Sequence, residues 1–77
     1  MAFVIRMDYS DRSGDGSCYY AGKIHQYGGI KMPTGTEIGS SELPPKVYST
    51  ERRANTAKTS LEQRFDLMYS FTVEELA

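Results

Sequence analysis

The chain has 77 residues, 39% of them hydrophobic, so it holds one small domain and leaves little room for an elaborate catalytic site. Nine Lys and Arg against ten Asp and Glu give a formal net charge of -1, which disfavours coating of nucleic acid through phosphate neutralisation. The aromatic content of 12% indicates a folded chain rather than a disordered one.

Two antiparallel strands are predicted at the start of the chain. The first, residues 2–9, alternates between an apolar and a charged face, with Phe3, Ile5 and Met7 against Arg6 and Asp8. Residues 10–17 are all turn formers and predict a hairpin loop. Residues 18–27 alternate again and predict the second strand.

Residues 28–45 hold four of the seven Gly and all three Pro, and predict a Gly/Pro-rich arm. Because Pro followed by Gly suits a short turn, Pro33-Thr34-Gly35 is the predicted tip of a protruding partial hairpin. Its two sides pair Ile30 and Met32 with Thr36 and Ile38. After the arm, residues 46–48 predict a short third strand.

The helix pattern is the clearest in the sequence and covers about residues 50–65. Ser49 or Thr50 can cap its first turn, and Glu51 and Arg64 suit the helix dipole at either end. An apolar stripe follows helical spacing: Ala54, Ala57, Leu61 and Phe65. Residues 67–75 alternate once more and predict a last strand in the centre of the sheet.

The predicted fold is α+β, with a small antiparallel sheet of three to five strands and one helix packed on one face. The element order is β-β-(β-hairpin arm)-β-α-β, and residues 1–77 form a single domain. Because so thin a core needs support, a dimer or higher homo-oligomer is expected. The predicted core is Phe3, Ile5, Ile24, Val47, Ala54, Ala57, Leu61, Phe65, Leu67, Tyr69, Phe71 and Val73.

Catalysis, metals and redox cofactors are not expected. Cys18 and His25 lie on opposite faces of one strand by parity, so they do not form a nucleophile and base. The loop from Asp11 to Gly16 imitates the start of a calcium loop, but its twelfth position is Gly22, where a bidentate Glu is needed.

A lone cysteine indicates a reducing compartment, and the first residues lack the length of a signal peptide or spanning helix. A cytoplasmic protein without a membrane role is therefore expected.

Two kinds of binding surface fit the remaining residues. The arm keeps apolar residues that a flexible linker would not need, so either the protein's own sheet or a partner covers them. Alternatively, Lys31, Arg52 and Arg53 hold the phosphate of an anionic nucleotide between protomers. The predicted binding residues are Tyr27, Ile30, Lys31, Met32, Thr34, Thr36, Glu37, Ile38, Arg52 and Arg53.

The chain also resembles a loose group of short proteins from bacteriophages and mobile elements of Gram-positive bacteria. The resemblance lies in an opening strand (Phe3-Val4-Ile5-Arg6), a Tyr-rich second strand (Tyr19-Tyr20-Ala21-Gly22-Lys23), a strand-to-helix junction (residues 46–54) and an acidic last strand (Phe71-Thr72-Val73-Glu74-Glu75-Leu76). Such proteins are similar in size to small phage inhibitors of host defence, including anti-CRISPR proteins. The resemblance implies a non-enzymatic inhibitor that binds a host protein, and it carries over no catalytic residue. The alternative function is an oligomeric sponge for an anionic nucleotide signal.

Overall fold

The computed structural model describes residues 2–11, 14–38, 40–65 and 69–76. The elements run in the order β1 (Ala2–Asp11), β2 (Gly14–Tyr27), β3 (Ile30–Thr36), α1 (Glu51–Phe65) and β4 (Ser70–Leu76). The strands form one antiparallel sheet in the order β3-β2-β1-β4, and α1 packs mainly against β4 and β1. The predicted α+β class with one helix on an antiparallel sheet is confirmed.

The core lies between α1 and the face of the sheet that carries the odd-numbered residues of β1. Ile5 and Met7 are fully buried there. The helix contributes Ala54, Leu61 and Phe65, which share one face because they are spaced seven and four residues apart. Partly buried side chains extend this cluster: Cys18, Tyr20, Ile24, Tyr48, Ala57, Tyr69 and Val73. The alternation of β1 and the stripe of α1 therefore meet as the sequence predicts.

The helix begins and ends as its sequence predicts. The backbone N–H of Arg53 donates to Oγ1 of Thr50 at 3.2 Å, so Thr50 is the N-cap residue. Glu51 lies in the first turn and Arg64 in the last, where each charge complements the helix dipole. No helix in the described ranges is long and apolar enough to cross a membrane.

The turn between β2 and β3 is at Gly28-Gly29, so the prediction of a turn at Pro33-Thr34-Gly35 is wrong. Gly28 and Gly29 have φ of 59° and 83°, the left-handed values that a two-residue hairpin turn of type I′ requires. Residues 30–36 then form one continuous strand paired with β2. Pro33 lies within this edge strand, where its missing N–H costs no ladder bond, and it is fully buried.

The predicted third strand at residues 46–48 is a single bridge. Beyond Tyr20, β2 separates from β1, with a register shift before Ile24 and a positive φ of 84° at Gly22. Residues 46–48 fill the gap: the N–H of Lys46 donates to the carbonyl of Tyr20 at 2.8 Å. Tyr48 exchanges two backbone hydrogen bonds with Phe3, at 2.9 and 2.8 Å.

Two further predictions about the strands are corrected. The loop expected at residues 10–17 is much shorter, because β1 and β2 remain paired as far as Asp11 and Gly14. The last strand is not central: β4 is an edge strand and β1 lies inside the sheet. Leu67, a predicted core residue, lies outside the described residues.

The burial of Val47 and of Val4 does not follow from the sequence pattern. The sequence predicts Val47 in the core, but this residue is 49% exposed. Residues 46–48 lie in the gap between β1 and β2 and do not form a full strand of the sheet. Val4 lies on the face of β1 opposite Ile5 and yet has no exposed surface.

Val4→Ala should therefore lower the free energy of unfolding by about 1–3 kcal/mol, since it removes buried methyl groups. Val47→Ala should change it by less than about 0.5 kcal/mol. Urea unfolding of both variants measures the difference, and equal losses would contradict the assigned burial.

Candidate protein-binding surface

The turn of the β2–β3 hairpin presents two large apolar side chains to solvent. Tyr27 and Ile30 are cross-strand partners on either side of Gly28-Gly29. Tyr27 is 77% exposed and Ile30 is 55% exposed. We call these two side chains and the two glycines between them the hairpin tip. Paired apolar groups at so exposed a position mark a surface available for contact with another molecule.

The register of the β2–β3 hairpin shows which of its side chains face the core and which face away from it. Ile24 pairs with the buried Pro33, so these two residues mark the side of the hairpin that faces the core. Successive side chains alternate between faces, so His25 with Met32, and Tyr27 with Ile30, lie on the opposite side. The hairpin tip therefore continues into Met32 along the face directed away from α1.

A side-chain hydrogen bond joins the two strands just below the tip. Nδ1 of His25 lies 2.9 Å from Oγ1 of Thr34, so one of these two groups donates to the other across the strands. Beyond Tyr20, every strand pairing of β2 among the described residues is with β3, and a two-stranded ribbon gains little support from its own ladder. The His25–Thr34 bond therefore helps to hold the ribbon that carries the tip, which gives this histidine a structural role.

The other predicted residues on the arm lie at the far end of β3. Thr36 is six positions after Ile30, which is about 20 Å of extended strand. Oγ1 of Thr36 donates to the carbonyl oxygen of Leu43, and the N–H of Ser40 donates to the carbonyl of Glu37 at 3.2 Å. These bonds fold the following loop back onto β3. Ile38 is 51% exposed but belongs to this loop rather than to the hairpin tip.

The cations proposed for phosphate lie on two different elements. Arg52 and Arg53 are exposed in the first turn of α1, whereas Lys31 is exposed on β3 next to the hairpin tip. Two open depressions lie along this part of α1: Arg52 lines both of them, whereas Arg53 and Thr50 line only one. Lys31 lines neither of them. Within the described part of one protomer, the three cations therefore do not form a common site.

A charged cluster on the face away from α1 was missed by sequence reasoning. Nε of Arg6 donates to Oδ1 of Asp8 at 2.9 Å, and its Nη1 lies 3.5 Å from Oε2 of Glu74. Oη of Tyr19 donates to Oε1 of Glu74 at 2.8 Å. The hydrogen bond to Asp8 raises the pKa of Arg6, and the bond to Glu74 raises the pKa of Tyr19.

In this cluster one arginine pairs with two carboxylates and Tyr19 donates to one of them, so the cluster joins β1, β2 and β4 to one another. The side chains of Arg6, Asp8 and Glu74 are each at least one-third exposed, so each pair contributes little to stability. The alternation of β1 places Arg6 and Asp8 on this face. Glu74 is 68 residues from Arg6, and only the sheet order brings the two together.

Cys18 lacks the environment of a catalytic thiol. Its side chain packs against the core, and burial, followed by the charge of Asp8, raises its pKa. A raised pKa keeps the thiol protonated near neutral pH, whereas the thiolate is the nucleophile. His25 is exposed on the opposite face of the hairpin, as parity predicts.

We therefore expect the folded protein to react with a disulfide reagent such as DTNB more slowly at pH 8 than the chain unfolded in guanidinium does. The rate should rise as the pH passes the ordinary range of a thiol. Stopped-flow absorbance measures both rates. A folded protein that reacts as fast as the unfolded chain would contradict an inert, protonated thiol.

Among the described residues, no group of three or more His, Cys, Asp or Glu side chains is arranged to hold a metal ion. Comparison of the chain with protein-family models, with curated proteins and with solved structures gave no match. The candidate surface is therefore assigned from its geometry alone, which is an exposed apolar hairpin tip on a small domain with a net charge close to zero.

Proposed function

We propose that the protein is a non-enzymatic binding protein of a bacteriophage or mobile element, which inhibits a host defence protein of the CRISPR type by direct contact. It acts in the cytoplasm of the host cell, and the hairpin tip is the part that touches the target. The single observation that carries the proposal is the paired exposure of Tyr27 and Ile30 at the β2–β3 turn.

The chemistry of the tip suits a protein partner. Tyrosine provides a large contact area at a small cost in rotamer entropy and is enriched among the residues that dominate binding energy. Ile30 adds an aliphatic group beside it, and Met32 extends the apolar surface along the same face. The two-residue turn restricts the backbone between Tyr27 and Ile30, so less conformational entropy is lost on binding.

The nucleotide sponge has less support from the geometry. Lys31 lies on a different element from Arg52 and Arg53, so a phosphate trap needs cations from two protomers to converge on one point. A panel of cyclic and linear nucleotides should therefore leave the melting temperature unchanged, since any tight ligand of the folded state raises it by mass action. A clear rise with one nucleotide would favour the sponge over the inhibitor.

The experiment that tests the proposed function is a plaque assay. The chain is expressed in a Gram-positive host whose CRISPR system carries a spacer against a test phage. Restored plaque formation, compared with an empty vector and with a host that lacks the CRISPR system, is the expected result. Unchanged immunity at confirmed expression would contradict inhibition of that CRISPR system.

A further inference from the structure

We propose that β4 pairs edge to edge with β4 of a second copy, forming a continuous eight-stranded antiparallel sheet about a twofold axis at Val73. The sheet has two edges, β3 and β4, and an edge strand with free backbone groups is a template for another strand. The backbone pattern of the two edges selects β4, and the sequence of β4 selects a second copy as the partner.

The hydrogen bonds of Phe3 show which groups of β4 point outward. Both backbone groups of Phe3 bond to Tyr48, on the side of β1 away from β4. Glu75, the partner of Phe3 in the β1–β4 ladder, therefore exchanges no hydrogen bonds with it. Because this pattern repeats every second residue, the N–H and C=O groups of Phe71, Val73 and Glu75 point outward from β4.

The same reasoning shows that the β3 edge is interrupted. The carbonyl of Tyr20 accepts from Lys46, so it points away from β3, and the backbone groups of its partner Gly35 point outward. Pro33 is two residues before Gly35 and shares this outward position. Proline has no N–H, so the outer edge of β3 lacks a donor in its centre. The outer edge of β4 contains no proline or glycine.

A register centred on Val73 uses every outward group of β4. It pairs Val73 with Val73 of the second copy, and Phe71 with Glu75 in both directions. Each of these three pairs exchanges two N–H···O bonds, because both partners present outward groups. Thr72 then faces Glu74 of the second copy, and no two like charges are directly opposed.

The neighbouring registers are less favourable. A register centred on Glu74 would place this carboxylate directly opposite its copy, which is destabilising. A register centred on Thr72 would need the N–H of Tyr69, which already donates to the carbonyl of Phe65 at 3.1 Å. The carboxylate of Glu74 is bound by Arg6 and Tyr19, so it remains compensated when Thr72 of the second copy lies beside it.

Proline substitution on each edge tests the proposal. Glu75→Pro removes an outward N–H from an exposed position and leaves the donors of the β1–β4 ladder in place. Lys31→Pro is the matched control, because Lys31 occupies an outward position on β3, two residues before Pro33. We expect sedimentation equilibrium to give a dimer for the wild type and for Lys31→Pro, and a folded monomer for Glu75→Pro.

Amide hydrogen exchange by NMR tests the register in the unmodified chain, independently of whether either variant folds. The amides of Phe71, Val73 and Glu75 should be protected in concentrated wild-type protein and lose protection on dilution. Those of Thr72 and Glu74 should remain protected, because they bond to β1. A monomeric wild type, a dimeric Glu75→Pro, a monomeric Lys31→Pro, or unprotected amides at the three outward positions would each overturn the proposal.

Discussion

Replacing Ile5 with alanine should lower the free energy of unfolding by about 2–5 kcal/mol. Ile5 is fully buried in the central strand, in one cluster with Leu61, Phe65 and Phe71. A chain of this length has a total stability of about 4–12 kcal/mol, so the loss is a large part of the whole. Urea denaturation followed by circular dichroism measures the change.

Ile30→Ala is the matched control, because it removes the same atoms from a side chain that is 55% exposed. Its effect on stability should stay within about 0.5 kcal/mol. If Ile30→Ala destabilises the fold as much as Ile5→Ala does, the tip is part of the core and is not free to bind a partner.

The double variant Tyr27→Ala, Ile30→Ser should lose target binding and inhibitory activity while keeping its fold. Truncation of a residue that dominates an interface costs about 2 kcal/mol or more, which is a loss of affinity of roughly thirty-fold or greater for one such residue. Plaque counts in the host with active CRISPR immunity measure the loss of activity, and thermal unfolding verifies the fold.

Val47→Ser provides the control for this variant, because Val47 is 49% exposed and belongs to neither the tip nor the predicted binding residues. It should retain full activity. Equal loss of activity in the two variants would show that any change in exposed apolar surface is harmful, and the tip would have no special role.

The local patterns of the sequence predict the helix and the central strand because both depend on nearby residues. Thr50, Glu51 and the apolar stripe mark the start and the buried face of α1 without knowledge of the remaining fold. The turn of the β2–β3 hairpin is different, because the arm contains two turn signals. Only the position of β3 at a sheet edge, where Pro33 is tolerated, selects Gly28-Gly29 over Pro33-Thr34-Gly35.

Several of the features that the sequence does not predict depend on the order of the strands in the sheet. The alternation of residues 70–76 is the same in an edge strand as in a central one, so the sequence could not place β4. Strand parity puts Val4 away from the helix and says nothing of its complete burial there. The contact of Arg6 with Glu74 depends in the same way on β1 lying beside β4.

The candidate site was predicted in part. Tyr27, Ile30 and Met32 were among the expected binding residues, and the structure brings them together on one end of the hairpin. The sequence groups Thr36, Glu37 and Ile38 with them because its pattern predicts one protruding arm, whereas the structure places these three residues at the far end of β3. Residues 30–36 are a strand of the sheet, so a deletion of the arm would also remove the buried Pro33. Single substitutions at the hairpin tip therefore test the binding surface more directly.

The two proposed contact surfaces lie on opposite edges of the sheet, so both can be occupied together. Tyr27 and Ile30 are at the end of the β3 edge, and Phe71, Val73 and Glu75 line the β4 edge. A dimer through β4 would carry two hairpin tips. If the target is itself a dimer or has two sites, such an arrangement gains avidity from the second contact without any new residue at the tip.

Photo-crosslinking from the hairpin tip tests the central claim most directly. Benzoylphenylalanine replaces Tyr27 in one variant and Tyr9, which is exposed near the opposite turn, in the other. Both are irradiated in host cells with active CRISPR immunity, and the products are identified by mass spectrometry. We predict that position 27 crosslinks to a subunit of the CRISPR effector and that position 9 does not. A crosslink to the effector from position 9 alone, or no effector crosslink from position 27 in a variant that still inhibits, would contradict the account.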